Sequence, residues 1–464
     1  MYNRDLEKAH EIATEVARCG GRAYFVGGYV RDKILGIENS DIDIEVHGIS
    51  VKQLELILDS LGSRTEQGAS FGIYKLNGYD VDIAMPRTEE KIGTKHTDFK
   101  TLIDPFIGVE KASRRRDFTI NSIMMDCLTG DIIDPNNGVS DLKHGIIRHV
   151  DSKSFIEDPL RVLRAARFSA RFNFRISDST IELCKTMDLK DLSSERIYWE
   201  LIKLFESTGK PSIFFESLRE MNQLGYWFME IQNLIGVEQN PIYHREGDVW
   251  THTMMVLDYA HTITEQDYAG YMIEPINKNY FMLACLCHDL GKPEAYNDDC
   301  GRVTSINHEK IGLKPAEQFI LRITQDRKIM KYVLNMVEMH MKPNMCANSH
   351  SHKKATNRMF NKSIDTRGLL LLAKSDYLGR IHGDPDYKNI ETWLMDRLEH
   401  YTITMSKPFV QGRDLVAAGI KPGEYFSELL EYSHKLRLAD VCKEKALKQT
   451  IAYYNKIVSK ATKN

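Results

Sequence analysis

An alternating stretch of polar and apolar residues, Asp41–Val46, constrains the fold of this chain more than any other feature. Successive side chains of a β-strand point to opposite faces, so Ile42 and Ile44 would pack inward while Asp41 and Asp43 share the other face. Two neighbouring carboxylates repel each other unless cations lie between them. The stretch therefore predicts a half-buried strand with an acidic pair, which is either a solvated strand face or a metal-binding edge.

The remaining pattern predicts one α/β region followed by helices. A strand is predicted at Ala23–Gly27, a short helix at Tyr29–Gly36 and a further strand at Tyr79–Met85, and the pattern is helical from Glu157 onward. We expect an α/β head with a mixed or antiparallel sheet and flanking helices, then an all-helical neck, body and tail. The predicted boundaries are 1–150 for the head, 151–215 for the neck, 216–400 for the body and 401–464 for the tail.

The composition is that of an ordinary folded protein, with 27% charged and 42% hydrophobic residues among 464. The net charge is −3, so nucleic-acid binding would depend on local basic patches. The charged N-terminus and the lack of a long apolar run predict neither a secretory signal nor a transmembrane helix. We expect the eight scattered cysteines to be reduced thiols in a cytoplasmic protein with no membrane partner.

A third carboxylate on an adjacent strand would complete a two-metal site for phosphoryl transfer. Asp80 and Asp82 share one face of the strand predicted at Tyr79–Met85, and we favour Asp82. Mg²⁺ prefers oxygen ligands and keeps positions for substrate phosphates. Gly27 and Gly28 would let backbone amides approach an anion closely, although a glycine pair alone is usually only a turn.

Two arginine-rich segments follow, RRRDFTINS (Arg114–Ser122) and EDPLRVLRAARFSARF (Glu157–Phe172). Four arginines of the second segment step by three or four residues, so they stack along one helical face: Arg161, Arg164, Arg167 and Arg171. Guanidinium forks suit phosphate oxygens. A solvated basic turn and an amphipathic helix with a basic outer face would explain the same residues.

The motifs FVGGYVRDKILG…SDIDIEV, RRRDFTINS and EDPLR together resemble the nucleotidyltransferase head of the DNA polymerase β superfamily, in the form found in class II CCA-adding tRNA nucleotidyltransferases. The resemblance implies addition of C, C and A to tRNA 3′ ends from CTP and ATP. It implies that Asp41 and Asp43 hold Mg²⁺ and that Asp82 assists catalysis. The extra Arg114 leaves the register of the functional arginines open. The implied nucleotide-binding residues are Gly28, Arg31, Arg115, Arg116, Asp117, Asn121, Asp158, Arg161, Arg164 and Arg167.

The same resemblance assigns the choice of base to Asp158 and Arg161. A carboxylate accepts from an exocyclic amino group and a guanidinium donates to the adjacent ring nitrogen, a pattern that cytosine and adenine share. Uracil and guanine would leave buried polar groups unpaired. SSERIYWEL (Ser193–Leu201) resembles the motif that braces the neck and reads equally well as a capped helix start. Pro86–Phe106 resembles the flexible loop that helps the switch from C to A.

A second group of candidate metal ligands lies in the C-terminal half, around LACLCHDLGKP. A buried charged pair is costly unless a metal or hydrogen bonds compensate it. The order H…HD…H…H…D resembles the metal-dependent HD phosphohydrolase superfamily, which implies the ligands His252, His288, Asp289, His308, His340 and Asp376. Imidazole and carboxylate ligands suit a transition metal that activates water for phosphoester hydrolysis. The alternative is a relic fold used only for packing.

Together the motifs follow the order and spacing of bacterial multifunctional CCA proteins over about residues 20–400. We therefore predict a CCA-adding enzyme that acts on tRNA and has a second, HD-type phosphohydrolase activity. The alternatives are a partial CC- or A-adding enzyme or poly(A) polymerase, a metal phosphohydrolase whose head only binds RNA, and a non-catalytic RNA-binding module. The sequence predicts nothing about oligomeric state.

Overall fold

The computed structural model describes residues 2–67, 73–91, 99–263, 277–299, 301–381 and 386–461, which form two compact units. The first unit is Met1–Trp227 and the second is Phe228–Asn464. The finer division into head, neck, body and tail stays a prediction. Within the described ranges no helix has the length and apolar character that crossing a membrane requires. The seven cysteines described there are free, as expected.

The first unit is built on a sheet with helices around it. Its strands are β1 Arg22–Val26, β2 Ile42–His47, β3 Arg64–Gln67, β4 Ile73–Leu76, β5 Val81–Ala84, β6 Arg87–Lys91, β7 Phe99–Ile103, β8 Met124–Asp126, β9 Ile132–Ile133, β10 Ile146–Ile147 and β11 Arg175–Ile176. Its helices are α1 Tyr2–Arg18, α2 Gly28–Ile34, α3 Val51–Leu61, α4 Val109–Arg114, α5 Gly138–His144, α6 Ser152–Phe155, α7 Leu160–Phe172, α8 Asp178–Lys185, α9 Ser194–Glu206 and α10 Pro211–Glu220, with a 3₁₀ turn at Thr119–Asn121.

Seven of these strands form one mixed sheet in the order β3-β4-β5-β2-β1-β8-β9. β2 and β5 run parallel, and the other neighbouring pairs run antiparallel. This sheet confirms the predicted α/β head. Ile42, Ile44 and Val46 of β2 are fully buried, so the predicted alternation holds and leaves Asp43 and Glu45 on the opposite face.

The turn from β1 into α2 requires glycine. Gly27 has a φ of +68°, a left-handed backbone that other residues rarely adopt. A Cβ at Gly27 would lie 3.5 Å from both a carboxylate oxygen of Asp43 and a guanidinium nitrogen of Arg116. The chain therefore brings the start of α2 directly against the acidic edge of β2.

Helix α7 carries the four regularly spaced arginines of the predicted neck, and it packs against α9 and α10. Leu163, Ala166 and Ala170 are buried, as their spacing predicts. The interpretation as a solvated basic face is wrong, because Arg167 is only 6% exposed and meets a carboxylate of α9. Helix α9 begins where predicted, but the predicted side-chain cap is wrong because Ser193 makes no capping hydrogen bond.

The predicted loop Pro86–Phe106 contains an antiparallel ribbon. β6 and β7 pair from Arg87 opposite Ile103 to Lys91 opposite Phe99. Residues 92–98, which join the two strands, lie outside the described residues. The flexibility of this segment and its role in the switch from C to A stay predictions.

Among the residues that the structure describes, the second unit is helical apart from one antiparallel strand pair, β12 Asn297–Asp299 with β13 Arg302–Thr304. Its helices are α11 Met229–Gln232, α12 Val249–Thr262, α13 Lys278–Cys287, α14 Lys292–Ala295, α15 His308–Ile311, α16 Leu313–Ile323, α17 Arg327–Met339, α18 Lys342–Asn348, α19 Lys353–Lys362, α20 Thr366–Leu378, α21 Lys388–Ser406, α22 Gly412–Ala417, α23 Phe426–Leu438 and α24 Lys443–Ala461. A Cβ at Gly291 would lie 2.1 Å from the carbonyl oxygen of His308, so glycine lets the turn after α13 touch the start of α15.

Candidate functional site

The acidic edge of the sheet brings three predicted carboxylates together. Asp43 on β2 lies directly beside Asp82 on the parallel strand β5. Burial, together with the negative charges of Asp41 and Asp82, raises the pKa of Asp43 to about 6. Burial and the charge of Asp82 also raise the pKa of Asp41. The three side chains therefore form a site whose full ionisation requires added positive charge.

The donor set at this edge suits a hard divalent cation. One oxygen of Asp82 is buried and makes no hydrogen bond to any described residue. The ammonium of Lys75 lies 3.4 Å from that oxygen but only 2.7 Å from the exposed Asp80. Carboxylate oxygens without strong protein partners are ligands for cations of this kind.

The acidic edge opens onto a cavity of about 570 Å³. Eleven of the thirteen residues predicted for the catalytic and nucleotide-binding site of the head and neck line this cavity: Gly28, Arg31, Asp41, Asp43, Arg116, Asp117, Asn121, Asp158, Arg161, Arg164 and Arg167. Asp82 and Arg115 do not line it. The structure thus gathers residues from β2, α2, the 3₁₀ turn and α7 around one space that is rich in guanidinium groups.

Buried carboxylates hold the cavity arginines in place. Arg164 donates from Nε to Asp117 at 2.7 Å, and Arg167 donates from Nε to Glu200 of α9 at 2.6 Å. Asp32, which is fully buried, accepts from Arg31 at 2.7 Å and from Arg171 at 3.0 Å. Because each guanidinium carries five donors, these bonds leave further N–H groups for a phosphorylated ligand.

Glu45 anchors the arginines of the RRRD segment from the same face of β2 as Asp43. Its carboxylate accepts from Arg115 at 2.7 Å and from Arg116 at 3.3 Å, and lies 3.0 Å from His47 Nε2. Burial alone would raise the pKa of Glu45, but the His47 hydrogen bond and the two guanidinium charges hold it well below its usual range. Arg114 is exposed, so Arg115 and Arg116 are the inward-facing pair.

Asp158 and Arg161, the predicted base-selecting pair, are each held by other groups. Both carboxylate oxygens of Asp158 accept from Arg196 of α9 at 2.9 Å. Arg161 donates to the carbonyl oxygens of Ser154 at 2.6 Å and Arg115 at 2.9 Å. These bonds fix the orientation of both side chains at the cavity wall and use only part of their donors and acceptors.

Sequence reasoning missed several residues of this site. Asn39 and Lys203 line the cavity, while Asp32, Glu45 and Arg196 anchor its arginine and aspartate side chains. One signal was available, because Glu45 follows Asp43 by two residues and must share its face. Asn39 accepts from the backbone N–H of Asp41 at 2.9 Å, which is a local Asx-turn bond, and donates to Asp32 at 2.9 Å.

The six HD-type ligands predicted in the second unit lie within one buried cluster. The ligands form two groups, and within each group the potential ligand atoms lie within 4.8 Å of one another. One group is His252, His288 and Asp376, and the other is Asp289, His308 and His340. Asp289 links the groups, since its carboxylate lies 3.2 Å from His288 Nε2 and 3.3 Å from His308 Nε2. His308 and His340 meet at 3.2 Å through their Nε2 atoms.

Backbone carbonyls fix the orientation of three of these imidazoles. In each case, Nδ1 lies within hydrogen-bond distance of the carbonyl oxygen three residues earlier in the chain. The distances are 2.8 Å from His288 to Cys285, 2.8 Å from His308 to Ser305 and 2.7 Å from His340 to Val337. A carbonyl only accepts, so each Nδ1 carries the proton and each Nε2 offers a lone pair to the cluster. His288 Nε2 is buried and has no hydrogen-bond partner among the described residues. The arrangement fits a metal ion.

The ionisation of the cluster also fits metal binding. Burial and the neighbouring His288 and His308 lower the pKa of His340 to about 3, so its imidazole is neutral at physiological pH. Despite burial, the charges around Asp289 and Asp376 hold their pKa values well below the usual range. Neutral imidazoles and ionised carboxylates are the forms that bind metals.

Two further residues extend the cluster beyond the prediction. Glu246 lies 2.8 Å from His244 Nδ1 and 3.0 Å from His252 Nδ1, and the three form another candidate metal-holding group. A carboxylate on the far nitrogen of a ligand histidine orients the ring and raises its basicity. The segment HREGDVWTH places the three residues within nine positions, a signal that was present in the sequence.

Protein family models match the parts of the chain that carry the two centres. The model described as Poly A polymerase head domain matches residues 23–148, and the HD domain model matches residues 249–381. A third model, described as a probable RNA and SrmB-binding site of polymerase A, matches residues 173–235. An acidic strand edge on an arginine-lined cavity, joined in one chain to a buried histidine and aspartate cluster, defines a nucleotidyltransferase with an HD domain.

Curated relatives narrow the family further. The chain is 34% identical over 340 residues to the multifunctional CCA protein of Actinobacillus pleuropneumoniae, covering 72% of this chain and 76% of that one. It is 34% identical to the Xylella fastidiosa multifunctional CCA protein over 79% of this chain and 86% of that one. The chain therefore belongs to the multifunctional CCA protein family.

Solved structures share the fold. An apo form of a CCA-adding enzyme superposes with a TM-score of 0.67 at 21% identity, over 97% of this chain and 95% of that one. The Thermotoga maritima CCA-adding enzyme, complexed with tRNA, gives a TM-score of 0.62 at 19% identity over the same shares. A Bacillus stearothermophilus CCA-adding enzyme in complex with CTP gives a TM-score of 0.63 at 18% identity, over 98% of this chain and 99% of that one.

The raised pKa of Asp43 predicts a stability effect that depends on pH. Its ionisation opposes folding above about pH 6 and has no effect below about pH 4, where the carboxyl is protonated in both states. In the absence of divalent cations, Asp43→Asn should raise the free energy of unfolding by roughly 1 kcal/mol at about pH 8, and the gain should vanish near pH 4. Denaturant titrations at both pH values measure this difference.

Asp80→Asn is the matched control for this experiment, because the Asp80 carboxylate is 63% exposed and paired with Lys75. It should bring no gain at either pH. A gain for Asp43→Asn that is equal at both pH values would contradict the assigned charge repulsion.

The buried cluster of the second unit predicts metal binding that depends on individual ligands. His340→Ala should weaken the binding of a divalent transition metal at least tenfold, because one fixed lone pair is lost. The exposed His352 provides the control, and His352→Ala should leave affinity unchanged. Calorimetric titration of the metal-stripped full chain measures both, and equal affinities for the two variants would argue against the cluster as the site.

Proposed function

We propose that this protein adds C, C and A to tRNA 3′ ends, using CTP and ATP and no nucleic-acid template. The observation that carries the proposal is the acidic edge of Asp41, Asp43 and Asp82 beside a cavity lined by anchored arginines and by Asp158 and Arg161. Membership of the multifunctional CCA protein family supports it. The head then supplies the chemistry and the neck helix chooses the base.

The reaction needs an acidic edge and a basic cavity side by side. Asp41 and Asp43, with Asp82, would hold Mg²⁺, which neutralises triphosphate charge and polarises the reacting oxygens. Arg116, Arg164 and other cavity guanidiniums bind the phosphates. The tRNA 3′-hydroxyl attacks the α-phosphorus, pyrophosphate leaves, and Asp82 accepts the hydroxyl proton. Most of the rate comes from positioning and electrostatic stabilisation.

Base choice follows from the fixed orientation of two side chains. Asp158 accepts from the amino group of cytosine or adenine, and Arg161 donates to the adjacent ring nitrogen. Arg196 holds both oxygens of Asp158, so it sets the direction of the carboxylate. Uracil and guanine meet like groups, which costs affinity because polar groups stay unpaired.

Substitution of Asp158 tests this assignment. Asp158→Ala should reduce the preference for CTP over UTP by about tenfold or more, since one buried hydrogen bond separates the bases. Arg196→Ala should relax the preference in the same direction but less. Glu216→Ala, at an exposed site on α10, is the control. The kcat/KM values for CTP and UTP measure the effect, and unchanged discrimination in Asp158→Ala would refute the role.

Supplying CTP and ATP in separate reactions distinguishes full CCA addition from partial addition. A tRNA transcript without its 3′ CCA should gain C residues with CTP alone, and the transcript ending in CC should gain a single A with ATP. Sequencing of the product ends provides the measurement. Addition of only one kind of nucleotide would favour the partial CC- or A-adding alternative, and a long A tail would favour a poly(A) polymerase.

We further propose that the second unit hydrolyses phosphoesters, with 2′,3′-cyclic phosphates and 2′-phosphates at damaged RNA ends as substrates. The histidine and aspartate cluster would hold a transition metal, which supplies a water activated for attack on phosphorus. The orientation of His288, His308 and His340 by backbone carbonyls supports this proposal.

The two activities should be separable, because their centres lie in different units. Asp43→Ala should abolish nucleotide addition and spare phosphoester hydrolysis, while Asp289→Ala should do the reverse. Each activity is measured on the full chain, with circular dichroism to verify folding. Loss of both activities in either folded variant would contradict the two-centre assignment.

A further inference from the structure

The cluster of the second unit opens into a cavity of about 180 Å³. Asp289, His308 and Asp376 line its floor, and Lys292 and Arg380 add two cationic side chains. Lys292 lies 2.7 Å from Asp289, and Arg380 donates to Asp376 at 2.8 Å, so both cations stand beside the candidate metal ligands. A phosphate is the group that this combination of charges fits.

The size of the cavity decides how much of a substrate it encloses. The volume is smaller than the about 300–1,000 Å³ of pockets that bury most of a drug-sized ligand. We therefore expect the cavity to take the phosphate and part of the ribose, with the base at its mouth.

An aromatic ring stands at this mouth. Tyr243 lines the cavity, yet 65% of the residue is exposed. The next residue, His244, also lines the cavity and lies 2.8 Å from Glu246, which in turn contacts the ligand His252 at 3.0 Å.

A hydrogen-bonded turn orders the backbone that carries Tyr243. The backbone N–H groups of Tyr243 and His244 both donate to the carbonyl of Asn240, at 3.0 and 2.9 Å. The side chain of Asn240 accepts from the N–H of Ile242 at 3.0 Å. A tyrosine side chain has only two torsions to fix when it binds a flat partner, and every nucleobase offers a π-face for stacking.

We propose that Tyr243 is a nucleobase platform for the phosphohydrolase cavity, so that the site takes a terminal nucleotide phosphate with its base stacked on the tyrosine. This inference rests on the hydrolytic activity proposed above. It assigns a subsite that recognises any base by its flat face, with the phosphate enclosed beside Lys292 and Arg380.

The test compares two substrates that differ only in the base, adenosine 2′,3′-cyclic phosphate and 1-O-methylribose 2,3-cyclic phosphate. With the metal-loaded full chain, we expect kcat/KM to be about tenfold or more higher for the nucleotide, as stacking on an aromatic ring predicts. Tyr243→Ala should bring the nucleotide down to the base-free value and leave the base-free value unchanged. Tyr243→Phe, which keeps the ring, should match the unmodified protein.

Ile242→Ala is the matched control, because Ile242 precedes Tyr243 in the chain, is 76% exposed and does not line the cavity. This variant should leave kcat/KM for both substrates unchanged. Calorimetric binding of adenosine 2′-phosphate gives a readout that does not depend on turnover, and Tyr243→Ala should weaken it about tenfold. Any nucleotide binding in the head cavity is the same in the unmodified protein and in Tyr243→Ala, so it does not contribute to the difference between their affinities.

The outcomes separate the platform from the hydrolytic activity. An equal loss on both substrates in Tyr243→Ala, or no loss on either, overturns the platform. If the unmodified protein hydrolyses neither substrate but Tyr243→Ala still weakens nucleotide binding, the proposed hydrolysis fails and the platform stands. If hydrolysis and the binding difference are both absent, the platform fails as well.

Discussion

Buried carboxylates that hold guanidinium groups are the interaction on which the head depends. An unpaired charge is costly to bury, and a cluster of like charges is costlier still. Asp32, Glu45, Asp117 and Glu200 each lie almost entirely buried, and each accepts from one or more arginines of the cavity. The cavity can therefore present many positive groups in fixed positions before any ligand arrives, which is the condition for strong electrostatic catalysis.

The second unit meets the same physical problem in a different way. Its charges are concentrated in one cluster, where histidine side chains surround two carboxylates. Three of the imidazoles are held by backbone carbonyls at helix ends, so their orientation depends on helix geometry rather than on other side chains. The head is prepared for an anionic ligand and the cluster for a cation.

The sequence was sufficient for several elements of the head and for most of the side chains that line its cavity. The alternation at Asp41–Val46 predicted β2 and its acidic face, and the three-and-four spacing in α7 predicted that its arginines would share one side. Eleven of the thirteen site residues predicted for the head and neck consequently line one cavity. Short periodic patterns are reliable here because each follows directly from strand or helix geometry.

The partners of those residues were not predictable in the same way. Asp32 lies on α2, while Glu200 and Arg196 lie on α9, and only tertiary packing brings them to the cavity residues that they hold. The sequence also offered no rule for the exposed Tyr243, whose significance depends on the cavity behind it.

The hydrogen bonds from His288, His308 and His340 to backbone carbonyls have a consequence for how the second centre would take up a metal ion. A ligand shell whose tautomers are already set by the main chain needs no rearrangement to accept an ion. Binding of an ion would then require no unfolding of this part of the chain. Ligand type, site geometry and the availability of each ion in the cell would together decide which transition ion the cluster holds.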